Sequence, residues 1–218
     1  MGASGELSIV WDDRAITLTN IHASKHFIQA KFQLIGTNFH GHLTNVYFPQ
    51  DTTNKVDTLN TLTQINSERS HPLWITGVDF NMITRLEEKR GGQIKLDCES
   101  THFKNYIHNN MLIDMEFNNG VYTWNAKRVD AHQSASRLDR FLISDNAIHL
   151  GGDLLASIFP LSGSDHWPIR LHWQRPGDNV LRPFLFEAFW LNHPDFHNLI
   201  TETWKNFTPP EDAKMYKL

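Results

Sequence analysis

The sequence is poor in cysteine. Cys98 is the only one among 218 residues, so the chain can form no internal disulfide and no metal site built from several thiolates. Such cysteine usage is typical of proteins in reducing compartments. The composition therefore predicts an intracellular protein, nuclear or cytoplasmic, with no disulfide-linked partner.

Long apolar runs are also missing. No stretch reaches the roughly 20 apolar residues that a transmembrane helix needs. The first residues, MGASGELSIVWDD, contain neither the basic region nor the long apolar region of a signal peptide. We therefore expect no association with a membrane.

An excess of positive charge is the third absence. The chain has 20 Lys and Arg against 24 Asp and Glu, a formal net charge of −4. Proteins that bind nucleic acid through charge alone are usually basic. A nucleic-acid substrate would therefore need a local binding site, and acidic residues that hold a divalent cation would explain part of the imbalance. Composition does not predict the oligomeric state.

The sequence does contain enough apolar side chain for a sizeable core, with 40% hydrophobic residues, 14 Phe and 7 Trp. Its first half carries the partial alternation of apolar residues that is typical of strands. An apolar residue at every third position from Val56 to Ile65 predicts an amphipathic helix. The predicted strands of this half are residues 6–11, 15–22, 26–35, 42–48 and the stretch PLWITGVDFNMI at 72–83.

The second half begins with residues 84–99, which are polar and predicted to form a loop. A helix should follow, with an apolar face formed by Phe103, Ile107, Met111 and Leu112. Strands are then predicted at residues 120–124, 136–144, 153–161 and in the alternating end of 162–173, and a short helix should begin at Pro194. Short turns between neighbouring strands favour a mixed or antiparallel α/β architecture over a doubly wound parallel sheet.

Polar residues interrupt these strands at three places. Asp79 and Asn81 end the apolar strand at 72–83, Asp139 lies within SRLDRFLIS, and Ser164, Asp165 and His166 separate two strands. Buried carboxylates are costly unless they are paired or bind a cation. Each site alone also fits an ordinary turn, helix cap or surface ion pair. Together they suggest one polar site for metal-assisted hydrolysis of a phosphate ester.

Three motifs carry a resemblance to a known family. VDFN (78–81), SRLDRFL (136–142) and SDHWPI (164–169) resemble signatures of the endonuclease/exonuclease/phosphatase superfamily. EKRGG, YTWNAKR, NVYFP and RPFLFEAFWLNHPDF are similar to the endonuclease domains of plant LINE-type (non-LTR) retrotransposons. The resemblance runs from about residue 2 to past residue 200.

The resemblance implies a DNase I-like α/β fold, a four-layer sandwich of two mixed, largely antiparallel sheets flanked by helices. Residues 1–174 would form a partial endonuclease domain. Residues 175–218 would be a linker and short helix leading toward a reverse transcriptase domain. The implied activity is nicking of DNA with Mg²⁺ or Mn²⁺, leaving a 3′ hydroxyl that primes reverse transcription.

Residue roles follow from the matching motifs. Asp79 would orient or deprotonate the attacking water, Asn81 would position water and phosphate, and His166 would stabilise the charge developing on the phosphate. Asp139 would accept a hydrogen bond from His166 and fix its tautomer. The remaining implied residues are Asp165 as a metal ligand together with Asp79, Tyr47 near the phosphate, and Ser164, Thr123, Arg137 and Asn45 as supporting or substrate contacts.

The sequence also departs from the family pattern. It lacks the WN-x-RG and QE-x-K segments, and with them the Glu that is the family's main metal ligand, so we expect the first strand–helix–strand segment to be missing and nicking to be impaired. Val78 stands where the family has Gly. Two alternatives remain open at this point: a phosphoesterase of the same fold acting on small phosphoesters or RNA, and a non-catalytic retrotransposon remnant.

Overall fold

A computed structural model of the chain describes residues 7–67, 73–92, 95–96, 98–126, 134–150, 153–159, 163–174 and 194–206. The chain divides into two units, Met1–Asp178 and Asn179–Leu218. In the second unit the described part is one helix. Among the described residues, no helix combines the length and apolar character that a membrane span requires.

The first unit mixes strands and helices. Its first half contains β1 (Ile16–Ala23), β2 (Phe27–Leu34), β3 (His40–Tyr47), α1 (Thr52–Ser67), β4 (Trp74–Asp79) and β5 (Lys89–Arg90). Its second half contains α2 (Cys98–Asn109), β6 (Leu112–Asp114), β7 (Trp124–Asn125), β8 (Ala135–Ser136), β9 (Leu142–Ser144), β10 (Asp153–Ile158) and β11 (Ile169–Gln174). The helix of the second unit is α3 (Phe196–Asn206).

The main sheet has six strands in the order β1-β2-β3-β4-β9-β6. Only β3 and β4 are parallel within it, joined by α1, and the other pairs are antiparallel. Two smaller sheets, β5-β8-β7 and β10-β11, are also antiparallel. The predicted mixed, largely antiparallel α/β class is thereby confirmed.

Both faces of the central strand β4 are buried, because side chains alternate across a strand. Trp74 packs into a core with Leu62 of α1 and Phe103 of α2. Ile75, the next residue, packs into a second core with Phe32 of β2 and with residues of β10 and β11, including Leu171. The helices therefore cover one face of the main sheet, and the β10-β11 pair covers the other.

The predicted helix at 56–65 is confirmed as α1, and its start has a clear cause. Asp51 accepts a hydrogen bond from the backbone amide of Asn54 at 2.9 Å, which satisfies one of the free donors in the first helical turn. Leu59 and Leu62 of the predicted stripe are buried in the core. The short helix predicted at Pro194 is also present, as α3.

Several local predictions were wrong. The described part of the predicted strand at 6–11 is not a strand, and the predicted loop at 84–99 contains a 3₁₀ turn, β5 and the start of α2. The second helix ends at Asn109, because Met111 adopts a left-handed φ of 51°, and Leu112 reaches the same core from β6.

The single strand predicted at 136–144 is the correction that matters most for function. The structure divides it into β8 and β9, and Asp139 lies between them in an isolated bridge with Asp79. The interruption has a physical cause, since Arg137 and Arg140 turn their side chains into a buried ion-pair cluster instead of alternating across a sheet.

Candidate active site

A cavity of about 640 Å³ opens where β3 and β4 end together. The parallel register pairs Tyr47 with Asp79, the last residues of the two strands, so both reach the same edge of the sheet. The cavity is lined by these two residues and by Gln50, Asn81, Trp124, Leu138, Asp139, Asp165 and His166. Residues from five separate segments of the chain therefore meet at one site.

Asp79 is held by Asn81, two residues further along. The backbone amide of Asn81 donates to Asp79 Oδ1 at 2.9 Å, and its side-chain amide donates to Oδ2 at 3.2 Å. Asn81 adopts a φ of 50°, a left-handed conformation that asparagine tolerates better than most residues. This turn brings both donors of Asn81 back onto the carboxylate.

The environment of Asp79 changes its acidity. Burial and the negative charge of Asp139 raise the pKa of Asp79 from 3.8 to about 6, although the Asn81 hydrogen bond and His166 act in the opposite direction. The neighbouring carboxylate of Asp139 disfavours the ionised form of Asp79. A positive charge beside Asp79 would therefore stabilise its ionised form.

His166 and Asp139 form a hydrogen-bonded pair. His166 Nδ1 lies 2.9 Å from Asp139 Oδ2, and Asp139 is almost fully buried while His166 is half-buried. The hydrogen bond to Asp139 raises the pKa of His166 above its usual value, and the charge of Asp139 adds to the effect. The donor to Asp139 is Nδ1, so the Nε2 atom is the one available to a substrate.

Thr123 connects the segments that carry these two residues. Its buried hydroxyl accepts hydrogen bonds from the backbone amides of Leu138 at 3.0 Å and Asp139 at 2.9 Å. Its carbonyl oxygen accepts one from the amide of Trp167 at 2.7 Å. Thr123 therefore fixes Asp139 and the loop of His166 relative to each other without lining the cavity.

Asp165 lies at the exposed rim of the same cavity. Its Oδ2 accepts a hydrogen bond from the indole Nε1 of Trp124 at 3.1 Å. Ser164, next to it, accepts a hydrogen bond from the His166 backbone amide at 3.1 Å. Ser164 therefore supports the loop and is not part of the cavity lining.

Two other predicted residues lie outside the cavity lining. Arg137 is buried and donates to Glu88 Oε1 at 2.9 Å and to Asp114 Oδ1 at 2.7 Å. Asn45 donates to the carbonyl oxygen of Ser8 at 2.9 Å. Their role as supporting or substrate contacts therefore stays a prediction. The hydrogen bonds described for them go to groups that do not line the cavity.

Val78, which stands where the family motif has Gly, does not have a positive φ. The residue before it, Gly77, is the one that packs too closely for a side chain, because a Cβ on Gly77 would lie 2.9 Å from Phe141 Cδ1. The glycine that this tight packing needs is therefore present, one position earlier than the family motif has it.

Three residues that line the cavity were not predicted as site residues from the sequence: Gln50, Trp124 and Leu138. Gln50 donates through Nε2 to Asn81 Oδ1 at 3.1 Å, and Trp124 contacts Asp165. Trp124 lies within the YTWNAKR motif and could have been suspected. Gln50 follows Pro49 in an ordinary polar stretch, and no sequence pattern marks it.

The donor set fits a divalent cation. Among the described residues, Asp79, Asp139 and His166 place ligand atoms within 4.8 Å of one another. Carboxylate oxygens suit Mg²⁺ and Mn²⁺, and the repulsion between the two aspartates favours a cation beside them. Asp139 and His166 already bind each other, so Asp79 is the member of the cluster best suited as a ligand. Asp165 as a second ligand stays a prediction.

The layered sheets, α1, α2 and the cavity at the ends of β3 and β4 form a DNase I-like α/β fold. The endonuclease domain of TRAS1, a telomere-specific non-LTR retrotransposon, has this fold: it superposes with a TM-score of 0.56 at 14% identity, covering 77% of this chain and 72% of that chain. A functionally unknown conserved protein from Enterococcus faecalis V583 superposes with a TM-score of 0.52 at 10% identity, covering 75% and 69%.

A third solved structure, an endonuclease/exonuclease/phosphatase family protein from Bacteroides thetaiotaomicron, gives a TM-score of 0.47 at 10% identity, covering 74% and 66%. No family model matches the sequence, and no curated protein matches it significantly. At these identities the similarity establishes the fold, and the activity has to be argued from the site.

Proposed function

We propose that the chain is a divalent-metal-dependent phosphodiesterase that nicks DNA, of the kind found in LINE-type retrotransposons. The observation that carries the proposal is the His166–Asp139 pair, with Nδ1 and Oδ2 2.9 Å apart, in the same cavity as Asp79 and Asn81. The sequence motifs and the fold shared with a retrotransposon endonuclease domain support the choice of DNA as the substrate.

The cation would be Mg²⁺ or Mn²⁺, held by Asp79 and Asp165. When bound it would supply Lewis-acid activation of a phosphate oxygen and neutralise developing charge. The protein residues have separate tasks. Asn81 orients the carboxylate of Asp79, and Asp79 accepts a proton from the attacking water.

His166 would donate from Nε2 to a phosphate oxygen, while Asp139 holds the ring through Nδ1. The raised pKa of His166 increases its protonated fraction at neutral pH, which suits stabilisation of an anion. Water adds to phosphorus and gives its proton to Asp79, the bond from phosphorus to O3′ breaks, and O3′ takes up a proton from solvent, so the product is a nick with a 3′ hydroxyl and a 5′ phosphate.

Conversion of supercoiled plasmid to the open circle tests this proposal. The full chain with Mg²⁺ should nick the plasmid at an impaired but measurable rate, and chelation should stop the reaction. His166→Ala and Asp139→Asn should each lower the rate at least about 100-fold, the range expected for loss of a positioned acid–base group. His102→Ala, which removes an exposed histidine of α2, is the matched control and should retain full activity.

The two alternatives predict other outcomes. Release of phosphate from small phosphoesters without nicking of DNA would favour the phosphoesterase alternative. A chain that unfolds cooperatively but neither nicks nor releases phosphate would be a non-catalytic remnant. Nicking that is equal in His166→Ala and in the wild type would reject the proposed site.

A further inference from the structure

Trp124 occupies an unusual place at the rim of the active-site cavity. Its indole Nε1 donates to Asp165 Oδ2 at 3.1 Å, and Trp124 is also among the residues that line a second cavity of about 330 Å³. We propose that Trp124 is a positioning residue that orients the carboxylate of Asp165 toward the divalent cation. The inference rests on the proposed function, in which Asp165 is a ligand.

The short strand β7 also holds the backbone of the Asp165 loop. The amide of Asn125 donates to the carbonyl oxygen of Asp165 at 2.9 Å, and the amide of Trp167 donates to the carbonyl oxygen of Thr123 at 2.7 Å. Trp124 itself forms a bridge with His166. The loop backbone and the Asp165 side chain are therefore positioned by the same three consecutive residues.

An indole is well suited to this task. Asp165 is exposed, so an unrestrained side chain would sample several rotamers and lose that freedom on binding a cation. The indole N–H is a neutral donor, so it fixes one carboxylate oxygen without neutralising the charge that attracts the cation. An arginine or lysine at the same place would compete with the cation for the carboxylate.

A residue that hydrogen-bonds to a metal ligand has a measurable effect on metal affinity. Groups that orient metal ligands typically contribute about 10- to 100-fold to metal affinity. Phenylalanine in place of Trp124 keeps an aromatic ring at this position and removes the N–H donor. Trp167→Phe is the matched control, because it shortens an exposed indole in the same loop and leaves the Trp124–Asp165 contact intact.

The experiment measures binding of Mn²⁺ to the full chain by electron paramagnetic resonance, without DNA. Trp124→Phe should weaken Mn²⁺ binding about 10- to 100-fold, Trp167→Phe should leave it unchanged, and Asp165→Asn should weaken it at least as much as Trp124→Phe. The double variant should bind no more weakly than Asp165→Asn alone, because both changes act through one carboxylate. Thermal unfolding in chelator verifies that each variant folds.

A measurement on the unmodified protein complements the variants. The indole N–H resonance of Trp124 should shift when Mg²⁺ is added, and that shift should disappear in Asp165→Asn. Equal Mn²⁺ affinity in the wild type and Trp124→Phe overturns the inference, as does a wild-type chain that binds no Mn²⁺.

The inference and the proposed function can fail separately. A chain that binds Mn²⁺ in a Trp124-dependent manner but does not nick DNA contradicts the proposed function alone. A chain that nicks DNA with the same Mg²⁺ requirement in wild type and Trp124→Phe contradicts the role of Trp124 alone.

Discussion

Asn81 donates two hydrogen bonds to the carboxylate of Asp79, one from its backbone at 2.9 Å and one from its side chain at 3.2 Å. The left-handed φ of 50° at Asn81 makes this geometry possible. The Asn81 side chain also donates to the carbonyl oxygen of Phe48 at 2.9 Å. Asn81 thus serves first to orient Asp79, and the backbone conformation and the amide make separable contributions.

Substitutions at Asn81 should separate those contributions. Asn81→Gly keeps the backbone N–H and the conformation, so we expect nicking to fall about tenfold or more for the lost hydrogen bond to a charged group. Asn81→Val adds a β-branched side chain at a positive φ and should also cost about 1–2 kcal/mol of stability. Urea unfolding and plasmid nicking measure the two effects, and a valine variant as stable as the glycine variant would contradict the strain argument.

Gln50 should act through the orientation of the Asn81 amide. The Asn81 side-chain nitrogen donates to Phe48 and Asp79, and its oxygen accepts a hydrogen bond from Gln50 Nε2 at 3.1 Å. Gln50→Glu replaces that donor by an acceptor, repels the oxygen and should lower nicking more than Gln50→Met, which only removes the bond. Gln50 is exposed, so stability should change by less than about 0.5 kcal/mol in both variants. Equal rates in the two variants would show that the amide orientation does not depend on Gln50.

Glu88 should make the fold sensitive to acid. Burial alone would raise the pKa of Glu88, but the charge and hydrogen bonds of Arg140, the Thr84 amide and Arg137 lower it from 4.5 to about 2. A depressed folded-state pKa stabilises the protein above the unfolded value, and this contribution is lost as the pH falls from about 4.5 to 2.

The free energy of unfolding, measured from pH 7 to pH 3, should therefore fall more steeply in the wild type than in Glu88→Gln. At pH 7 the variant should be less stable by about 3–5 kcal/mol, because it removes the buried one of the two carboxylates that balance Arg137 and Arg140 and leaves only Asp114. Parallel curves for the two proteins would show that Glu88 does not titrate in this range.

Gly77 should tolerate no side chain. A Cβ there would lie 2.9 Å from Phe141 Cδ1 and 3.3 Å from the carbonyl oxygen of Arg140. Gly77→Ala should cost about 1–3 kcal/mol through overpacking and should reduce nicking, because Phe141 and Arg140 follow Asp139 directly. Gly120→Ala is the control: its Cβ would meet only Ile158 Cδ1 at 3.4 Å, so stability should be retained. A stable Gly77→Ala variant with full activity would contradict the packing argument.

The α/β class could be predicted because apolar periodicity reports local geometry. The stripe from Val56 to Ile65 became α1, and the alternating first half became β1, β2 and β3. Boundaries were less predictable where long-range contacts decide them. The 136–144 segment reads as one strand, yet the buried cluster of Arg137, Arg140 and Glu88 interrupts it. No local pattern shows that two arginines will be buried beside an acidic residue about 50 positions earlier.

By itself, the sequence determined the class of fold and the identity of the polar residues Asp79, Asn81, Asp139, Asp165 and His166, since residue types and motifs are local properties. Only the tertiary structure decided how these residues meet. The parallel register of β3 and β4 brings Tyr47 beside Asp79, and Thr123 ties the Asp139 segment to the His166 loop. The tertiary structure also brings Gln50 and Trp124 to the cavity, through hydrogen bonds to residues 31 and 41 positions away in the sequence. Such contacts arise from packing of the whole sheet, so a linear pattern cannot encode them.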